Sequence, residues 1–142
     1  MQKTYFAFIL ALLFSCSHIK IGYRLSKRDI GYIKSLHLLD DNETIYKFYS
    51  TYKIKNSGNF FTSKRMATYW IDEYIKTRNN ISFAYDNDIK SIDTVYYAGL
   101  TYSPYMRVEK LDGKKFSVSV DGKRNAIKAF FEDAINEWKK NR

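Results

Sequence analysis

Ser50 and Lys53 have the S-x-x-K spacing with which some acyl-transfer enzymes place a lysine to deprotonate a serine. That chemistry requires both side chains on one face, as in the first turn of a helix. The surrounding segment is rich in aromatic and β-branched residues and predicts a strand, in which positions i and i+3 point to opposite faces. The S-D-N and K-T-G elements that accompany the motif do not occur in the sequence. We therefore interpret the pair as structural rather than catalytic.

Oxygen ligands for a cation are concentrated in Asp86-Asn87-Asp88, which is similar to the opening of a calcium-binding loop. Such a loop needs a glycine at its sixth position and a glutamate at its twelfth. This sequence has Ser91 and Tyr97 at those positions. We interpret the segment as a turn cap before a strand and expect no metal site.

Nitrogen and sulfur ligands are scarce, because the sequence contains two histidines, His18 and His37, and one cysteine, Cys16. A single cysteine excludes an intrachain disulfide framework and a cysteine-rich metal cluster. Neither histidine has a recognisable catalytic partner in the sequence, and we interpret His37 as a structural, hydrogen-bonded residue. We expect no cofactor.

Basic residues carry the strongest binding signal. The net charge is +9, and residues 44–120 hold twelve basic against seven acidic residues, an excess of +5. Four basic residues flank the first predicted strand turn: Lys53, Lys55, Lys64 and Arg65. If they converge on one rim, they would bind an anionic lipid, a lipopolysaccharide phosphate or an acidic protein. The alternative is a solvated basic face without a ligand.

The N-terminus has the pattern of an export signal. Lys3 precedes the apolar run Thr4–Phe14, which is shorter than the roughly 20 residues of a membrane span and has the length of a signal-peptide core. The run ends in Leu13-Phe14-Ser15-Cys16, which resembles the lipobox of bacterial lipoproteins. The alternatives are a plain secretory signal with an incidental cysteine and an uncleaved anchor.

The lipobox resemblance implies a signal peptide at residues 1–15 and a diacylglycerol thioether on Cys16. Residues 16–25 would then form a tether that holds the protein on a membrane. Because residue 17 is serine rather than aspartate, the resemblance implies an outer-membrane lipoprotein of the cell envelope that faces the periplasm. Export disfavours nucleic acid as a partner.

Helix and strand signals divide the remaining chain into one short helix, a series of strands and a final helix. Ser26 and Asp29 mark the start of a helix over Lys27–Leu38. Turns are predicted at Asn56–Asn59 and at Asp112-Gly113. The predicted strands are Thr44–Ile54, Phe60–Ile71, a weaker Tyr74–Lys76, Ile81–Tyr85, Ile89–Tyr97, Tyr105–Leu111 and Lys114–Val120.

An apolar stripe predicts a C-terminal amphipathic helix. Ile127, Phe131, Ala134 and Trp138 recur at helical spacing. Asp121 is placed to cap the start of this helix. The stripe needs a partner surface, and the preceding strands predict the sheet that supplies it.

Three features resemble bacterial pleckstrin-homology-like domains. Gly58–Arg65 is similar to their (F/V)-x-T-x-K-R strand, and Ile81–Asp93 is similar to a strand pair of theirs. The order of a strand meander followed by one helix is also the same. The resemblance extends over about Glu43–Trp138 and implies an α+β fold, within a single domain that we predict over residues 26–142. This is a mainly antiparallel β-barrel or sandwich, closed by the C-terminal helix, with a short N-terminal helix added.

The same resemblance implies a binding or scaffold module. We therefore predict a lipid-anchored, non-catalytic module of the cell envelope whose ligand the sequence does not identify. The alternative is an envelope hydrolase whose active site is not recognisable in the sequence.

Overall fold

The computed structural model describes residues 19–142, apart from the side chain of Tyr23. The predicted signal peptide, Cys16 and His18 lie outside this range. The helices are α1 (Lys27–Ser35) and α2 (Arg124–Lys140). The strands are β1 (Lys20–Ile21), β2 (Ile45–Tyr49), β3 (Ser57–Thr62), β4 (Arg65–Trp70), β5 (Asn80–Tyr85), β6 (Ile89–Val95), β7 (Tyr105–Lys110) and β8 (Lys115–Ser119).

The strands form two antiparallel sheets. The first has five strands in the order β1-β2-β3-β4-β5, and the second has three in the order β6-β7-β8. The mainly antiparallel α+β architecture is therefore confirmed. The two sheets do not close into a barrel, so the barrel part of the prediction is wrong.

Two apolar cores lie on the two faces of the five-stranded sheet. Phe60 and Phe61 are neighbours in β3, but alternation along the strand sends them into different cores. Phe60 packs in the outer core, which α1 covers with Ile33. Phe61 packs in the inner core between the sheets and α2, with its ring 5.3 Å from that of Phe130. Both faces of β3 are therefore buried.

Helix α2 buries the predicted stripe. Ile127, Phe131, Ala134 and Trp138 all belong to the inner core, and Trp138 Nε1 donates to the Asp86 carbonyl at 3.1 Å. The predicted cap is wrong, because the N-cap residue is Lys123 and no side chain caps the helix. The carboxylate of Asp121 instead accepts from the backbone N–H of Gly122. Within residues 19–142, neither helix is both long and apolar enough to cross a bilayer.

The segment predicted as one strand over Phe60–Ile71 is a hairpin, β3 followed by β4. Thr62 makes the turn, because its Oγ1 accepts from the backbone N–H groups of Lys64 and Arg65, both at 3.0 Å. A turn made by a threonine side chain does not need the glycine, proline or asparagine that usually marks a chain reversal, and none is present here. The sequence pattern therefore does not predict this turn and indicates one continuous strand instead.

The preceding strand and turn also lie at positions in the chain different from those predicted. Strand β2 ends at Tyr49 rather than Ile54, and the predicted turn Asn56–Asn59 lies largely within β3. Gly58 is needed there for close packing rather than for a turn. A Cβ at Gly58 would lie 2.3 Å from the ring of Tyr69, which leaves no room for any side chain.

The predicted tether overlaps the folded chain. Lys20 and Ile21 pair with β2, and Leu25 is buried in the outer core. A Cβ at Gly22 would lie 1.6 Å from the Ile45 carbonyl oxygen, so this segment fits closely against the sheet. Residues 20–25 are therefore part of the domain.

Helix α1 has the predicted start and an earlier end. The capping box is confirmed, with Ser26 Oγ accepting from the Asp29 backbone N–H and the Asp29 carboxylate accepting from that of Ser26. The helix ends at Ser35 rather than Leu38. His37 follows in the left-handed region with φ 59°, where a residue terminates a helix.

Candidate functional site

The structure separates the four basic residues of the predicted anion site into two pairs. Lys53 and Lys55 lie in the connection between β2 and β3, whereas Lys64 and Arg65 lie at the turn between β3 and β4. Six-residue β3 runs between the two positions, a distance of about 17–20 Å. The expectation that the four converge on one rim is wrong, because the chain reverses at Ser63–Lys64.

Arg65 lies inside the domain. Its side chain is 1% exposed, and its Nη2 lies 2.7 Å from Glu43 Oε2 and 3.0 Å from Asp40 Oδ2. The guanidinium also lies over the ring of Tyr85, 4.4 Å from its centroid. Burial alone would lower the pKa of Arg65, but hydrogen bonding and charge attraction from Glu43 raise it above its ordinary value. The charge of Arg65 is therefore satisfied internally.

Lys64 is half-exposed at the same turn. Its Nζ donates to Asn42 Oδ1 at 2.6 Å and lies 4.0 Å from Asp40 Oδ2. These contacts hold it beside the segment between α1 and β2. Lys64 is thus remote from Lys53 and Lys55.

A second loop with basic residues lies at the end of the sheet that carries Lys53 and Lys55. Trp70 pairs with Ser57, so the connection over residues 71–79 leaves the sheet at the same end as residues 50–56. We call these two loops together the loop end. It contains two further basic residues outside the predicted anion site, Lys76 and Arg78, both exposed.

Hydrogen bonds order the second loop. The Asp72 carboxylate accepts from the backbone N–H groups of Tyr74 and Ile75, each at 2.9 Å. The N–H groups of Ile75 and Tyr74 lower the pKa of Asp72 below its usual value. Glu73 pairs with Lys55 at 3.2 Å, and that hydrogen bond lowers the pKa of Glu73. Four basic residues against these two acidic ones leave the loop end at +2.

Exposed aromatic side chains surround these charges. Tyr74 is 90% exposed, Tyr52 is 68% exposed and Trp70 is 45% exposed. The Lys53 ammonium lies over the Tyr52 ring, 5.2 Å from its centroid. Large aromatic side chains in water beside lysine and arginine are typical of interaction surfaces.

The course of β1 relates the loop end to the N-terminus. Lys20 lies opposite Phe48 and Ile21 lies opposite Lys47, so β1 runs antiparallel to β2. Since β2 runs toward the loop end, Lys20 is the residue of β1 that lies nearer to that end. Ile19 is partly buried against the inner core there.

The other predicted chemical residues lie apart from this surface or have structural contacts. Ser50 and Lys53 lie in a loop rather than a strand, and Ser50 Oγ is 3.0 Å from Ser57 Oγ. The hydrolase alternative stays a prediction. His37 is exposed, and the contact it makes with Arg65 Nη1, at 3.3 Å, is through its carbonyl oxygen.

Asp86 belongs to a structural junction. Its carboxylate accepts from Asn141 Nδ2 at 2.7 Å, which ties the end of α2 to the turn after β5. Burial raises the pKa of Asp86 above its usual value. Among the residues that the structure describes, no three histidine, cysteine, aspartate or glutamate side chains are grouped closely enough to hold a metal ion.

Two antiparallel sheets followed by a C-terminal helix define a pleckstrin-homology-like fold, and a solved structure shares it. This is the crystal structure of a DUF1696 family protein with a pleckstrin-homology domain from Shewanella loihica PV-4. The two match with a TM-score of 0.53 and 12% identity over 77% of this chain and 91% of that chain. A likeness at this identity shows the fold alone. No family model and no curated protein matches the chain.

Proposed function

We propose that this protein is a lipid-anchored binding module of the cell envelope whose loop end rests on an anionic bilayer surface. The fold supports a binding or scaffold module. The lipobox-like Leu13–Cys16 supports an anchor on Cys16. The observation that carries the proposal is the direction of β1, because β1 begins at the end of the sheet that carries the basic loops.

Chain length restricts how the domain sits. Cys16 precedes Lys20 by four residues, which span at most about 14 Å when extended. A lipid on Cys16 therefore keeps the loop end close to the membrane. Surface charges act over a Debye length of about 8 Å at physiological salt, so this proximity strengthens the attraction between the +2 loop end and the bilayer.

The side chains of the loop end suit a bilayer interface. Tyrosine and tryptophan accumulate at the level of lipid headgroups. Tyr74 and Tyr52 are exposed on the loop end, and Trp70 is partly exposed directly before its second loop. Lysine and arginine near an anionic surface contribute about 1 kcal/mol each. Lys53, Lys55, Lys76 and Arg78 supply that attraction.

Two variants test the two parts of this proposal. Cys16→Ser should abolish fatty-acid labelling and move the protein out of the detergent phase. Labelling that persists in Cys16→Ser would contradict the anchor.

The loop end is tested in the Cys16→Ser background by sedimentation with phosphatidylglycerol vesicles. We expect binding that weakens as salt rises, and a larger loss after Lys53→Gln, Lys55→Gln, Lys76→Gln and Arg78→Gln together than in a matched control. The control replaces four exposed lysines of the α2 region with glutamine: Lys123, Lys128, Lys139 and Lys140. Equal loss in both variants would mean that net charge alone matters and would contradict the proposal.

A further inference from the structure

The outer edge of β5 has backbone groups that no strand pairs. Strand β5 is the last strand of the five-stranded sheet and pairs only with β4 in the described chain. Asp86 N–H donates to the Lys64 carbonyl at 2.9 Å, in register with the pairing of Tyr85 and Arg65. Antiparallel pairing alternates, so Ala84 and Ser82 bond to β4. The N–H and C=O groups of Ile81, Phe83 and Tyr85 therefore point outward.

A groove of about 440 Å³ borders this edge. Ile81, Ser82 and Phe83 form one wall, and the facing wall belongs to the β7–β8 hairpin. The hairpin wall consists of Lys110, Lys114, Lys115 and Phe116. Ile81 and Phe116 make part of the groove apolar, so it combines apolar contacts with backbone hydrogen-bonding groups.

Lysines outnumber the carboxylates that neutralise them at the hairpin. Glu109 is shared by Lys90 at 2.8 Å and Lys115 at 3.2 Å. Asp112 is shared by Lys114 at 3.8 Å and Lys110 at 4.0 Å. Within the hairpin, three lysines against two carboxylates leave an excess charge of +1, which favours an anionic occupant.

We propose that the open edge of β5 takes up an extended acidic segment of a partner protein as an additional strand. An added strand gains main-chain hydrogen bonds from the edge and side-chain specificity from the groove. A second copy of this chain fits less well, because pairing two β5 edges would bring two sets of lysines together. The inference is independent of the membrane proposal, since no residue of the two loops that form the loop end lines the groove.

Fluorescence polarisation measures the affinity with a labelled peptide of about ten residues in which glutamate and valine alternate, because alternation places glutamates on one face of a strand. The full chain carrying Cys16→Ser should bind this peptide and should not bind a version with lysine in place of glutamate. Replacing Lys110, Lys114 and Lys115 with glutamine should weaken binding by about tenfold. The matched control, which replaces Lys128, Lys139 and Lys140 on α2 with glutamine, should change it by less than about twofold.

Amide hydrogen exchange tests whether the bound peptide pairs with β5 as an added strand, in a protein whose β5 residues are unchanged. On peptide binding, the amides of Ile81, Phe83 and Tyr85 should become protected, whereas those of Ser82 and Ala84 should not change. Three results would overturn the proposal: no binding, equal loss in the two triple variants, or binding without protection of the outward amides. Failure of vesicle binding would leave these expectations unaltered.

Discussion

Individual basic residues in this protein have different roles, although their side-chain charge is the same. Arg65 is buried against Glu43, a residue 22 positions earlier in the chain, whereas Lys53 projects into solvent. Residue type and spacing cannot separate these roles, because the partner carboxylate is distant in sequence. The buried ion pair also explains why Arg65 is unsuitable as a ligand-binding residue.

The buried ion pair is tested by Glu43→Gln, which keeps the shape of the side chain and removes its charge. Leaving a buried guanidinium without its main counter-charge should lower the free energy of unfolding by about 3 kcal/mol. Urea unfolding measures this. The control is Glu132→Gln, which removes the exposed Lys128–Glu132 pair and should cost well under 1 kcal/mol. Equal stability of the two variants would show that Arg65 does not depend on Glu43.

At the scale of helices and strands, local patterns predicted the elements whose signals are local. The α2 stripe, the Ser26–Asp29 capping box and the Asp112-Gly113 hairpin are all present. The β3–β4 hairpin was not predictable, because Thr62 makes its turn by side-chain hydrogen bonds. That single omission reverses the direction of the following strand and misplaces half of the candidate site.

Because the β3–β4 hairpin was not predicted, Lys76 and Arg78 were not assigned to the same end of the sheet as Lys53. With Phe60–Ile71 taken as one strand, residues 71–79 would leave the sheet at the end opposite to Lys53. With a hairpin, they return to the same end. Lys76 and Arg78 stand between two predicted strands in the sequence. The end of the sheet at which they lie could be predicted only with knowledge of the β3–β4 hairpin.

The closing role of α2 is tested by Trp138→Ala. Trp138 is 7% exposed and donates to the Asp86 carbonyl, so its removal should cost about 3–5 kcal/mol. Thermal or urea unfolding measures the loss. Tyr97→Ala is the control, since Tyr97 is 82% exposed and its removal should change stability by less than about 0.5 kcal/mol. A Trp138→Ala protein as stable as the control would contradict the packing of α2.

At the scale of the whole molecule, the proposals use different surfaces. The loop end, with the chain that leads to Cys16, would face a bilayer, and the outer edge of β5 would remain open to a partner. Helix α1 covers the outer face of the five-stranded sheet, and α2 with the second sheet covers the inner face. A domain that binds at an end and at an edge keeps both sheet faces closed, which is consistent with a scaffold.

The two tryptophans make the orientation measurable. Trp70 is partly exposed at the loop end, whereas Trp138 is buried beside Asp86, near the opposite end of the sheet. The lipidated protein can be reconstituted into anionic vesicles that contain lipids brominated near the headgroup. We predict that these lipids quench part of the tryptophan emission and that Trp70→Phe removes the quenching. Emission from Trp70 that is unquenched in the anchored protein would contradict a loop end that faces the membrane.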